Sequence, residues 1–181
     1  MTTETLPLKL DLGSSKLRVA EGYTTVDLYA PEADVQADLG ALPYPDGSVA
    51  EVWASHCLEH MDAERIPDVL AEWYRVLAPG APAIVSVSNM DYAARYWLHG
   101  SDRDAALQLV FGSPSEPGGL HRIGWSPRSF RAALESAGFV IVRLDIIFET
   151  EETAVGSYYH ECETIRAEVV KPTEPDHGHV H

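Results

Sequence analysis

The sequence predicts an α/β protein built around a mostly parallel sheet. Short apolar runs alternate along the chain with longer segments of helical period, the pattern of a sheet whose strands are joined by crossovers. The first apolar run, "LKLDLGSSKL", passes directly into an acidic residue and a glycine turn. The best-defined helix, "DAERIPDVLAEWYRVLAPG", carries one apolar stripe of Ile66, Val69, Leu70, Trp73, Val76 and Leu77.

Taken in order, strands are expected near 8–12, 24–28, 34–37, 49–54, 83–88, 139–147 and 157–170, the last open to a break. Asp62 is placed to cap the striped helix, and Pro79-Gly80 to end it. A second helix follows "WSPRSF", with Ser126 as N-cap, Pro127 at the first helical position and Gly138 as the close. Its buried face is Phe130, Ala133, Leu134 and Ala137. Residues 90–120 fit neither period well and read as a short helix plus a loop, inserted as a substrate cover. The expected organisation is one domain over 1–170 and a polar, mobile tail over 171–181.

Composition narrows the class. The 181 residues carry a formal net charge of -15, spread along the chain, which argues against a phosphate backbone as the main partner. Cys57 and Cys162 form neither a metal spacing nor a disulfide framework, so a reducing cytoplasm is expected. No run approaches the roughly 18 apolar residues of a membrane span, and none is expected to meet a membrane.

Two stretches refine the reading. "YTTVDLY" ends a strand in Asp27, where an acidic residue of a Rossmann-like unit accepts hydrogen bonds from ribose hydroxyls. "ADLGALPYPDGSVAEVWASHCLEHM" follows, then the helix that ends "WYRVLAPG". With "DLGSS", "VDL", "SHCLEHM", "RVLAPGA" and the later "GWSPRSFRAALESAGF" in this order, the chain resembles the class I S-adenosylmethionine-dependent methyltransferases, in the small type 11 branch, over about residues 8–145.

The resemblance implies a Rossmann-like fold with an antiparallel last strand, S-adenosylmethionine as cofactor, and methyl transfer to oxygen or nitrogen of a small-molecule acceptor. It places Asp11 and Gly13 by the methionine part, with Ser14 and Ser15 as loop contacts. Asp27 would hold the ribose and Leu28 lie beside the adenine. Asp38 would receive the adenine amino group, with Leu39 near the ring, and Ser55 and His56 would border the transfer site. For Asp11 and Asp38 the other reading is a turn cap. A ligand without a phosphate explains why one glycine suffices in the first turn, where a dinucleotide would need closer backbone approach. The family usually has a second glycine where Ser15 stands, and an alanine, Ala81, replaces the last glycine of "PGG".

The spacing also leaves no room for a helix before the first strand, nor for long helices between the first and second or second and third. Leu8, Leu10 and Leu12 alternate with Lys9 and Asp11, and Val85 and Val87 with Ser86 and Ser88, so one sheet face is expected to be thinly covered and partly polar. That face either meets water or supports a homodimer.

For the chemistry, His121 in "GLHRIGWS" is the first candidate base, with His56 beside the cofactor as the second; a packing or exposed histidine is the alternative. His60 fits either the site or the helix start. Asp91 is a further base or a loop cap, and Tyr92, Tyr96, Trp97 and Trp125 fit either an acceptor wall or ordinary packing. His177, His179 and His181 read as a polar tail, not a metal site. A non-catalytic or partner-activated S-adenosylmethionine-binding module is the competing reading, and a nicotinamide-dependent oxidoreductase would want more glycines than "GSSK" contains.

Overall fold

The computed structural model describes residues 7–14, 19–100, 102–114, 118–149 and 162–173. Six strands form one sheet in the order β2-β1-β3-β4-β6-β5: β1 (Lys9–Leu12), β2 (Tyr23–Val26), β3 (Glu51–Ser55), β4 (Pro82–Ser88), β5 (Val140–Glu149) and β6 (Cys162–Val170). The first four pair in parallel, and β6 runs antiparallel between β4 and β5. The mostly parallel sheet with an antiparallel end is the architecture that the apolar pattern and the resemblance imply.

The strand expected at 34–37 is reduced to a single parallel bridge, Val26 to Val35. Asp34 explains the loss. Its carboxylate accepts from the N–H and the hydroxyl of Thr25, both at 2.9 Å, so a side chain occupies the edge that a further strand would pair with.

The core lies on one face. Leu10, Leu12, Val52, Ala54, Val85, Val87, Ile165 and Ala167 point from the strands into it. Helix α1 (Ile66–Val76) covers them with Ile66, Val69, Leu70, Trp73 and Val76, and α4 (Pro127–Ser136) with Phe130 and Leu134. Ser126 caps α4 as its sequence predicts, accepting from the N–H of Ser129 at 3.2 Å. Asp62 does not cap α1. It ion-pairs instead with Arg122 at 2.8 Å, and a single 3-10 turn, Ala63–Arg65, leads into the helix.

The opposite face is polar, as the alternation predicts. Lys9 and Glu51 pair across strands at 2.6 Å, Arg143 pairs with Asp145, and Arg166 lies over the Trp53 ring at 5.6 Å. Among the described residues no helix joins β1 to β2 or β2 to β3.

The insert holds two helices, not one: α2 (Met90–His99) and α3 (Arg103–Phe111). The second starts where Asp102 accepts from the N–H groups of Asp104 and Ala105, both at 3.0 Å, a cap that the weak apolar period hides. No described helix is long and apolar enough to cross a membrane. The tail histidines lie outside the described residues.

Trp73 is the largest fully buried side chain and its indole also donates to the Leu39 carbonyl at 3.0 Å. Trp73→Ala is expected to cost about 3–5 kcal/mol in urea unfolding; a loss below about 1 kcal/mol would mean that the two layers are held elsewhere.

Candidate functional site

The site is built from the carboxyl ends of β1, β2 and β3, where the loops of a parallel sheet converge. Gly13 follows β1 with φ +69°, and its N–H donates to the Val26 carbonyl at 2.8 Å. A Cβ there would lie 2.4 Å from Cys57 Cβ and 3.6 Å from Leu39 Cδ1. Glycine is therefore required twice, by its backbone angle and by the approach of the β3 turn. Asp11, buried at the end of β1, accepts from the N–H of Val19 at 2.8 Å and so closes the glycine loop upon itself. Ser14 Oγ is buried with no hydrogen-bond partner among the described residues. Ser15 lies outside the described residues.

Asp27 stands just past β2. Its Oδ1 accepts from the N–H groups of Tyr29 and Ala30 at 2.7 and 2.9 Å, which folds the chain into a tight turn and leaves Leu28 and Tyr29 projecting at 46% and 60% exposure. A turn cap and a carboxylate at the strand end thus coexist in one residue.

The Asp38 segment is fastened to α1. Both Asp38 oxygens meet Arg65 at 2.8 Å, and Oδ1 also accepts from Gly40 N–H. The Gly40 bond first, and then the Arg65 guanidinium, hold this carboxyl below its ordinary range despite partial burial. Asp38 is thereby a clamp that presents Leu39, and its expected bond to the adenine amino group meets a carboxylate already taken by Arg65. Glu72 adds a bond to Leu42 N–H at 2.7 Å. Leu39 itself is buried, near Gly13.

Cys57 ties these pieces together. It is a fully buried thiol, pushed well up by burial and by the charges of Glu59, Asp11 and Asp27, and is neutral. Ser55 is half-buried at the end of β3, on the sheet face of Trp53.

His56 corrects an expectation. It borders the glycine loop in sequence but does not offer a catalytic nitrogen. Nδ1 meets Glu59 at 3.0 Å and Nε2 meets Glu149 at 3.1 Å, with Ser88 and Thr164 hydroxyls at 3.3 and 3.2 Å. Burial alone lowers its pKa; the bonds to Glu149 and Glu59 outweigh that and push it up to about 9. His56 is thus a buried imidazolium between carboxylates. Glu59 also accepts from Ser88 N–H and Oγ, and is drawn down to about 2 by His56 against the opposing effect of burial. Its Oε2 is buried without a partner among the described residues.

A strap from Gly118 to Ile123 crosses above this turn. Arg122 and Ile123 N–H groups donate to the Glu59 carbonyl at 2.7 and 3.3 Å, and His60 Nδ1 donates to the Leu120 carbonyl at 3.2 Å. His121 sits on the strap, edge-on to His60 with ring centroids 4.9 Å apart. Burial lowers its pKa, and the nearby Glu59 carboxylate opposes that without reversing it. At neutral pH it is an uncharged base.

The aromatic candidates divide. Trp125 is core, edge-on to Phe130 at 5.6 Å, and is not a pocket wall. Trp97 faces outward under Arg103. Tyr92 stacks on Tyr96 at 5.7 Å and meets Phe148 at 6.2 Å, packing the insert against the sheet. Asp91 is exposed on the first turn of α2, which Asn89 caps. Glu59 and Glu149 escaped the sequence reading. Glu59 stands inside "SHCLEHM" and could have been suspected there; Glu149 is 93 positions from His56 and carries no local signal.

Comparison with known proteins agrees with this geometry. The family profile described as a methyltransferase domain matches residues 10–85. A S-adenosylmethionine-dependent methyltransferase from Methanosarcina mazei shares the fold with TM-score 0.63 and 16% identity, over 94% of this chain and 95% of that one. A putative methyltransferase from Haloferax volcanii, solved in complex with the Trm112 methyltransferase activator, has TM-score 0.62 and 20% identity over 100% and 87% of the two chains. The 1,6-didemethyltoxoflavin-N1-methyltransferase of Burkholderia thailandensis, solved with its 1,6-didemethyltoxoflavin and S-adenosylhomocysteine, has TM-score 0.60 and 15% identity over 91% and 71%. No curated protein matches the chain.

The residues present fit S-adenosylmethionine. A loop glycine that no side chain could replace, a buried serine hydroxyl with no partner among the described residues, and an acid followed by a projecting leucine supply what an amino acid, a ribose and an adenine need. Gly13→Ala is expected to abolish S-adenosylhomocysteine binding in calorimetry while the chain still folds. Wild-type affinity in that variant would show that the loop is not the site.

Proposed function

We propose that this chain is a S-adenosylmethionine-dependent methyltransferase that methylates oxygen or nitrogen of a small-molecule acceptor, on the match of residues 10–85 to a methyltransferase-domain profile and on a fold shared with S-adenosylmethionine-dependent methyltransferases. The observation that carries the proposal is the glycine loop pressed against the β3 turn, in which the buried Ser14 hydroxyl has no hydrogen-bond partner among the described residues.

In this reading Asp11 shapes the loop, Ser14 meets the amino-acid end, Asp27 takes the ribose hydroxyls, and Leu28 and Leu39 flank the adenine. Asp38 acts by holding Leu39 in place. The cofactor, when bound, supplies an electrophilic methyl group on a sulfonium. The chain's own task is to position the acceptor and exclude water, and to take a proton where the acceptor is a hydroxyl. His121 suits that step: burial keeps it uncharged, it stands edge-on to His60 on the strap, and the buried Glu59 carboxylate stabilises the cation it becomes. The α2–α3 insert and the strap supply the cover. The spread of negative charge favours a small acceptor over nucleic acid, in a cytoplasmic setting.

A second reading is a module activated by a partner protein. Its support is the Haloferax volcanii neighbour, which matches this chain end to end and was solved with an activator. Cofactor binding without transfer to any acceptor, in the isolated chain, favours this module. The open sheet face carries both signs of charge, in Lys9, Arg143, Glu51 and Asp145, and so suits a second copy about a two-fold axis. Light scattering at micromolar concentration is expected to give a dimer mass, and a monomer alone ends that proposal.

Asp27→Ala is expected to weaken S-adenosylhomocysteine binding by about 1–3 kcal/mol, the value of a lost bond to a buried partner, with unchanged affinity counting against the ribose assignment. His121→Ala is expected to cut turnover while leaving cofactor affinity near wild type, and equal turnover clears that residue.

A further inference from the structure

Among the described residues His56 is the one non-glycine residue with positive φ, at +52°. A side chain in this region is strained, and such strain persists where the surroundings over-determine it. The surroundings here come from four separate places. Glu59 grips Nδ1 from the turn that follows, Glu149 grips Nε2 from the end of β5, Thr164 contributes a hydroxyl from β6, and Ser88 one from β4. The His56 N–H also donates to the Ser86 carbonyl at 2.9 Å. Behind Glu149, Arg166 completes the set with a bond of 3.0 Å and a second bond to Ser86 Oγ at 3.2 Å.

The next residue after this strained step is Cys57, the side chain against which Gly13 is packed. We propose that His56 is a positioning residue for the cofactor loop: by bonding Glu59 and Glu149 at once it holds the left-handed step that seats Cys57 under Gly13, so that the β5–β6 hairpin is a working part of the cofactor site. The inference rests on the S-adenosylmethionine reading above. A glycine at 56 would take the same backbone angle without strain. The histidine adds a tether between the loop side of the sheet and its far antiparallel end.

Charge gives the tether a pH signature. Among the described residues, the charged and titratable groups around His56 are Glu59 from the turn, Glu149 from β5, Arg166 from β6 and, at longer range, His60 from the turn and His121 from the strap. The thiols nearby, Cys57 and Cys162, are pushed up and neutral. Two cations thus balance two carboxylates. A histidine with a raised folded value contributes fully below its ordinary range near 6.5 and loses that contribution as pH rises through about 9. Above it, the two buried carboxylates lose the cation they share, and Arg166 bonds Glu149 but not Glu59 among the described residues.

The test is calorimetric titration of the full chain with S-adenosylhomocysteine from pH 6.5 to 10, with folding checked by circular dichroism. Wild-type Kd is expected to stay level to about pH 8 and then rise, approaching about tenfold per pH unit above 9. In Glu149→Gln the rise is expected to begin at lower pH, because one of the two carboxylates that favour the imidazolium has lost its charge. The ligand's own amino group titrates alike in both proteins and cancels in the comparison. His56→Gly, unstrained but untethered, is expected to weaken binding about tenfold at pH 7. Arg131→Ala, which breaks an exposed helical ion pair, is the control expected to bind as wild type. Superimposable pH profiles for wild type and Glu149→Gln would overturn the proposal. So would wild-type affinity in a folded His56→Gly with only its melting temperature lowered, since that is the mark of a purely structural residue. Wild type failing to bind at every pH overturns the cofactor reading itself, and this inference with it.

Discussion

The constraint on which the rest depends is that this sheet has one apolar face and one layer of helices to cover it. Strands β1, β3, β4 and β6 present Leu10, Leu12, Val52, Ala54, Val85, Val87, Ile165 and Ala167 to the side where α1 and α4 lie, and Trp73 and Phe130 fill the space between. Burial of apolar area is the main driving force available to such a chain. With the opposite face given over to Lys9, Glu51, Arg166 and their partners, that single interface must hold the fold.

The same helix that closes the core also builds the site. Helix α1 and the turn that leads into it grip the chain between Asp38 and Leu42, through Arg65 of the turn and Trp73, Glu72 and Arg75 of the helix. The loop has almost no regular structure of its own, yet it is held on the helix by side chains spaced along one face. Leu39 reaches the glycine turn because Trp73, buried below it, fixes its carbonyl. Stability and ligand geometry are here consequences of one set of contacts, which is why an apolar substitution in the helix would reach the loop.

The buried charges form a second framework at the same carboxyl end of the sheet, towards β4, β5 and β6. A histidine between two carboxylates is costly to bury unless each partner is satisfied. Glu59 and Glu149 are each held by further donors, from Ser88, Thr164 and Arg166. This framework changes how the histidines are to be read. His56, the closest to the glycine loop in sequence, is locked and protonated. His121, on a strap far along the chain, is the uncharged one, and it is brought over the turn by backbone bonds to Glu59 that no side-chain motif announces.

Much was determined by the sequence alone. Apolar period placed α1, α4 and most strands, because burial on one face leaves a repeating trace in the residues themselves. Ser126 was legible as a cap, since capping is local. The glycine after Asp11 and the acid after β2 were legible for the same reason. Other features were decided only by the tertiary structure. The strand at 34–37 shrank to a bridge because Asp34 occupies the edge. Asp62 gave up its cap to pair with Arg122, and Asp38 turned to Arg65. His56 acquired Glu149 from 93 residues away. In each of these a polar side chain had several possible partners, and the sequence does not say which will be near. Carboxylates and imidazoles take whichever donor or acceptor the packed core brings within about 3 Å, and that proximity exists only after the apolar face has closed.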